Sequence, residues 1–72
     1  MNTWRLQNPR GLAESATIVE LEPGHFHLSV KTKYGWRSDT YMSLGSAKRE
    51  VSNRFTGGDG QRNVWKLTNQ EP

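Results

Sequence analysis

Between residues 17 and 42 the chain falls into three short runs separated by two glycine-bearing reversals, and the first two runs alternate apolar and polar side chains. The middle run is the clearest. Phe26, Leu28 and Val30 take every second position, and His25, His27, Ser29, Lys31 and Lys33 take the others. A period of two builds a strand with one buried face; wound as a helix, the same residues would scatter their apolar groups around the axis. Pro23-Gly24 precedes this run, proline presetting φ and glycine supplying the positive φ that a tight turn needs. Tyr34-Gly35 follows it as a second reversal. Residues 17–22 and 36–42 are therefore expected as the flanking antiparallel strands, with Val19 and Leu21 on one face and Glu20 and Glu22 on the other.

The rest of the chain fits around that meander. Trp4 and Leu6 alternate with Arg5 in a first strand over residues 3–7, which Asn8-Pro9-Arg10-Gly11 ends; residues 12–15 read as a loop. Ser43 is placed as a helix N-cap, and Leu44, Ala47, Val51 and Phe55 recur at helical spacing on one face. Glu50 and Arg54 form an i,i+4 pair on its flank. Gly57-Gly58 is expected to close the helix in the left-handed conformation, with a loop at Gly58-Asp59-Gly60. A final strand is expected over residues 63–68. The prediction is a single α+β domain over residues 1–68, ordered β-β-β-β-α-β, in which an antiparallel sheet of four to five strands packs against one helix. Residues 69–72 are expected to form a disordered tail.

One further feature ties the two ends together. Residues 2–8 read NTWRLQN and residues 63–69 read NVWKLTN, with four of seven positions identical and Arg5 exchanged for Lys66. As first and last strands they would present the same face, Trp and Leu inward and Arg or Lys outward. They are expected as sheet neighbours, with Trp4 and Trp65 packed together.

Composition narrows the function. A 72-residue chain has room for one core only. There are no cysteines, so disulfides and thiolate metal sites are excluded. No apolar stretch is long enough to span a bilayer, and no charged segment followed by an apolar run marks a secretory signal. Met1 suggests a small complete gene product, and the expected location is the cytoplasm. The net charge of +3 is uneven: residues 1–24 carry −1 and residues 25–66 carry +5. A basic middle favours an anionic partner.

Catalytic chemistry finds no support. No nucleophile elbow, phosphate loop or metalloprotease motif is present. The glycines of residues 56–60 follow a helix rather than open one, and they lack the lysine and hydroxyl of a phosphate loop. His25 and His27 share a strand face and Glu20 or Glu22 could lie across the turn, but surface histidines explain the pair more simply than a metal site. No enzyme activity, cofactor or metal is expected.

Binding chemistry is better represented. Lys31, Lys33, Tyr34, Trp36 and Arg37 crowd one hairpin, where cations suit phosphates and aromatic rings suit stacking on bases. Lys48 and Arg49 add charge near the helix start. Three strands followed by such a helix resemble, in outline, double-stranded RNA-binding domains and plant-type three-stranded DNA-binding domains. The N-terminal helix and lysine-rich helix entrance of the former are absent, as are the glycine and tryptophan patterns of the latter. Trp, Tyr and Arg, the residues enriched at protein-binding hot spots, number three, two and six. Arg outnumbers Lys six to four, which favours bidentate recognition of carboxylates.

A sheet entering one helix through Tyr41-Met42-Ser43-Leu44-Gly45-Ser46-Ala47, followed by a last strand, resembles small phage-encoded proteins that bind and inhibit bacterial RNA polymerase. The resemblance lies in the architecture of residues 16–68. It implies a non-catalytic regulator that interferes with promoter recognition by blocking or displacing σ factor or DNA, its expected location being the cytoplasm of a bacterial host if a phage encodes it. The chain is expected to be a monomer that contacts RNA polymerase or another large host protein, with no membrane partner. The acidic DNA mimics among such proteins are disfavoured by this chain's basic charge. The expected partner contacts are Arg5, Arg10, Lys31, Lys33, Tyr34, Trp36, Arg37 and Arg49. The alternative is a double-stranded nucleic-acid-binding domain that uses the basic, aromatic hairpin 31–37.

Overall fold

The computed structural model describes residues 2–57 and 61–69. Strands β1 (Asn2–Leu6), β2 (Ser15–Glu22), β3 (His25–Thr32) and β4 (Gly35–Tyr41) lead into helix α1 (Leu44–Val51). The helix continues through one wider, π-type turn over Ser52–Thr56, and the chain then returns as β5 (Trp65–Asn69). All five strands join one antiparallel sheet in the order β4-β3-β2-β1-β5. This is the expected α+β class and element order. No helix among the described residues is long and apolar enough to cross a membrane.

The two similar heptapeptides are sheet neighbours, but their tryptophans are not partners. β1 and β5 run antiparallel, so the Trp-x-Leu of one meets the Leu-x-Trp of the other: Trp4 lies opposite Leu67, and Leu6 opposite Trp65. Trp4 instead turns its ring to Phe26, with centroids 6.0 Å apart. A repeat read in one direction and paired in the other sets large against medium side chains, which fills a sheet surface more evenly than two indoles side by side.

β2 is placed the other way round from its expected phase. Ile18 and Ala16 are buried, opposite Leu28 and Val30 of β3, whereas Val19 lies on the far face opposite His27. Glu20 is on the helix side, where its carboxylate accepts from Asn2 Nδ2 at 3.1 Å. A one-residue irregularity between Glu20 and Glu22 then displaces Leu21, which is 52% exposed, and brings Glu22 opposite His25. Burying Ile18 and Ala16 against the apolar face of β3 outweighs exposing Leu21, since a fully buried aliphatic side chain contributes about 1.5–3 kcal/mol.

The core is small: Leu6, Ala13, Ala16, Ile18, Leu28, Val30, Ala47 and Val51, with Trp4, Phe26, Tyr41, Leu44, Phe55 and Trp65 packed around them. α1 supplies Ala47 and Val51, the centre of its expected apolar face. Ser43 caps it as expected, its hydroxyl accepting from Ser46 N–H at 3.1 Å. Ala13 is the unexpected member, from a segment read as loop. Leu12 N–H donates to the Phe55 carbonyl at 2.8 Å, and Glu14 N–H to that of Lys31 at 2.7 Å, so the loop is drawn under the sheet. Gly57 ends the helical run in an extended conformation, φ −66°, rather than the left-handed one. Its glycine is required for space instead: a Cβ there would collide with the Ser52 carbonyl. The expected loop at residues 58–60 lies outside the described residues, and so does the expected tail apart from Asn69, which belongs to β5.

Candidate functional site

α1 packs on one face of the sheet and leaves the other bare. The registers give the composition of that bare face row by row. One row crosses all five strands as Lys66, Arg5, Thr17, Ser29 and Ser38. The next reads Thr68, Thr3, Val19, His27 and Thr40. A shorter row over β2, β3 and β4 reads Ser15, Lys31 and Trp36. At a strand spacing of about 4.8 Å, five strands span about 19 Å. The result is a field of hydroxyls, of which Thr3 alone is buried at 2% exposure, with Arg5 and Lys66 at the β1–β5 side, Lys31 on β3 and one exposed indole, Trp36, at 65%.

Charge is divided between the two sides. Glu20 and Asp39 are on the helix side of the sheet, and Glu50 is on the helix itself. Only Glu22 brings a carboxylate to the bare face among the paired strand positions, at the far end by the β2–β3 turn, where it contacts His25 Nδ1 at 2.9 Å. Glu20 and the two histidines are thus separated by the sheet. Among the described residues no group of three potential metal ligands comes together.

Arg5 and Lys66 stand directly opposite each other on neighbouring strands, both exposed. Like charges in that relation destabilise a sheet. The exchange of Arg for Lys between the two heptapeptides is what signals this pair in the sequence. The exchange alone does not place Lys66 among the contacts: it is the antiparallel register of the two strands that sets it opposite Arg5.

The eight expected contacts divide into four places. Arg5, Lys31 and Trp36 share the bare face. Lys33 and Tyr34 form the adjoining turn, where Thr32 holds the chain: its Oγ1 donates to the Gly35 carbonyl at 2.9 Å and accepts from Tyr34 N–H at 3.1 Å. Lys33 Nζ sits 5.2 Å from the centroid of the Tyr34 ring, a cation–π contact on a side chain 73% exposed. Arg37 points to the helix side of β4, and Arg49 is exposed on α1. Arg10 is engaged in the fold: its guanidinium donates to the carbonyls of Asn8 at 3.1 Å and Gln61 at 2.6 Å. Together with Asn8, whose side chain bonds Arg62 O and Val64 N–H, it fixes the approach to β5.

The helix side holds a second feature. Beyond the edge of the helix, β4 contributes Arg37, Asp39 and Tyr41 to a cleft of about 490 Å³, faced by Glu50 and Arg54 and floored by Leu28 and Phe55. Glu50 and Arg54 are ion-paired at 2.7 Å. Burial, followed by the nearby charges of Glu50 and Asp39, raises the Tyr41 pKa above the ordinary value for a phenol, against a smaller opposing effect of Arg54. Mixed charge makes this cleft suited to neither a plain anion nor a plain cation. The bare face has the simpler and stronger character.

Comparison with known protein families, characterised proteins and solved structures finds no match to this chain.

Proposed function

We propose that this protein is a non-catalytic binding module and that its bare sheet face receives the phosphate backbone of a nucleic acid. The observation that carries this reading is the Arg5–Lys66 pair, two like charges held opposite each other on a face whose paired strand positions bring a carboxylate only at its far end. An arrangement that costs stability in the free protein is relieved when an anion lies between the two cations. Lys31 extends the positive field to β3, hydroxyls of Thr17, Ser29 and Ser38 lie between as phosphate donors, and Trp36 offers a ring for base stacking.

The test is fluorescence anisotropy with labelled single-stranded and duplex 20-mers over a salt series. Three cation–phosphate contacts give a slope of log K against log salt of about −2 for a single strand and about −2.7 for a duplex. Lys66→Glu is expected to lower the slope by about one contact and to weaken binding to every sequence alike. Affinity unchanged by Lys66→Glu would refute the placement of the site on this face.

A second reading follows from the hairpin tip. Trp36 and Tyr34 are prominently exposed, and Arg37 makes no ion pair among the described residues, a combination suited to anchoring on a protein. Under this reading the chain is a phage-type regulator that contacts bacterial RNA polymerase and alters transcription initiation. Capture from bacterial lysate with and without nuclease separates the two: polymerase subunits retained after nuclease support the protein target, and their loss on nuclease treatment supports nucleic acid.

A further inference from the structure

β4 is an edge strand of seven residues, GWRSDTY, with every residue except Tyr41 exposed and no proline to block further pairing. Alternate residues of such an edge turn their backbone donors and acceptors away from the sheet. The side chains of this strand are also self-complementary. We propose that two copies of the chain associate by antiparallel pairing of β4 with β4 about a two-fold axis at Ser38.

The register is singled out by three independent requirements. Overlap of all seven residues requires Gly35 opposite Tyr41 and hence Ser38 opposite Ser38 of the second copy. This register matches faces, because Gly35, Arg37, Asp39 and Tyr41 are on the helix side and Trp36, Ser38 and Thr40 on the bare side. It also sets Arg37 opposite Asp39 of the second copy, and Asp39 opposite its Arg37. The neighbouring face-matched registers oppose Arg37 with Arg37 or Asp39 with Asp39, and a slip of one residue reverses the faces. Gly35, which leaves the strand surface open, falls under Tyr41 of the second copy. In the single chain the Asp39 carboxylate accepts from Thr40 N–H at 2.8 Å, a local bond that pairing exchanges for the guanidinium across the interface. The other edge, β5, carries Lys66 with no acid beside it and has no such complement.

The dimer replaces the monomer expected from sequence and joins two five-stranded sheets into one, with both bare faces on the same side. One strand pair is a small contact compared with the roughly 1,000 Å² of a stable interface, so association belongs at high protein concentration. Sedimentation of the full chain from about 10 µM to about 1 mM should show the weight-average mass rising from 8.2 kDa toward twice that value. Arg37→Asp and Asp39→Arg should each weaken association about tenfold or more, and the double exchange should restore it to within about threefold of the original. A second measurement uses the absence of cysteine. Ser38→Cys places two thiols across the axis at a Cα separation of about 4.5–5.5 Å, within disulfide reach, and should cross-link rapidly while exposed Asn53→Cys does not. A mass that stays at one chain at about 1 mM, single exchanges without effect, a double exchange no better than the singles, or equal cross-linking at Ser38 and Asn53 would each overturn the proposal.

Discussion

Gly11 has φ +63°, and a Cβ there would run into the Phe55 carbonyl, the same oxygen that accepts from Leu12 N–H. Backbone conformation and space both demand glycine. Gly11→Ala should cost about 2–3 kcal/mol, the left-handed conformation contributing about 1–2 and displacement of the 10–13 loop the rest. Gly24, at φ +85° with open space around it, supplies the control: Gly24→Ala should cost only the conformational part, and thermal melts of the two variants will separate the terms. Thr3 is the reverse case. It is 2% exposed, and its hydroxyl is buried without a hydrogen-bond partner. Thr3→Val keeps the branched shape and removes the unpaired group, so it should stabilise the fold by about 1 kcal/mol in urea denaturation. Tyr41 gives a pH signature. Its folded pKa lies above the unfolded value of 10.0, so the folded state holds the phenolic proton longer. Its contribution is fully present below pH 10 and is lost as pH rises through the folded pKa. Tyr41→Phe should flatten the fall of stability measured above about pH 10.

At the level of elements, what was legible in the sequence was whatever is decided locally. Pro23-Gly24 turns the chain with Gly24 at positive φ, and Ser43 caps the helix whose Ala47 and Val51 reach the core. What was hidden depends on residues far apart in the chain. The phase of β2 follows from which of its residues meets Leu28 across the sheet, and Ala13 is buried because Leu12 and Glu14 bond to Phe55 and Lys31. The bare face was only partly visible for the same reason: Arg5, Lys31 and Trp36 were recognisable as binding residue types, whereas the row running from Lys66 to Ser38 exists only once the strand order is known. The β1–β5 pair gives the sharpest prediction at this scale. Lys66→Glu converts the like-charge pair with Arg5 into an opposite-charge one and should stabilise the protein by about 0.5–1 kcal/mol while it weakens polyanion binding. Stability and binding moving in opposite directions is the expected mark of a functional pair; a loss of both would identify a structural one.

For the molecule as a whole, the sheet separates two environments, a helix side that holds the apolar core with balanced charges around it and a hydroxyl-rich side whose charge is mainly cationic. Screening acts mainly on the latter. Raising salt from about 0.05 to 0.5 M should therefore stabilise the free protein by up to about 1 kcal/mol in denaturant titrations, with little effect on Lys66→Glu. The pairing of the first strand with the last has another consequence. Asn2 stands opposite Asn69, so the two ends of the described chain leave the sheet about 4.5–5.5 Å apart. A domain with adjacent ends demands no more room than a hairpin. It can be spliced into a surface loop of a carrier protein, or cut open at a turn and rejoined through its ends, without stretching either partner. The grafted sheet would then carry its cationic face wherever the carrier goes.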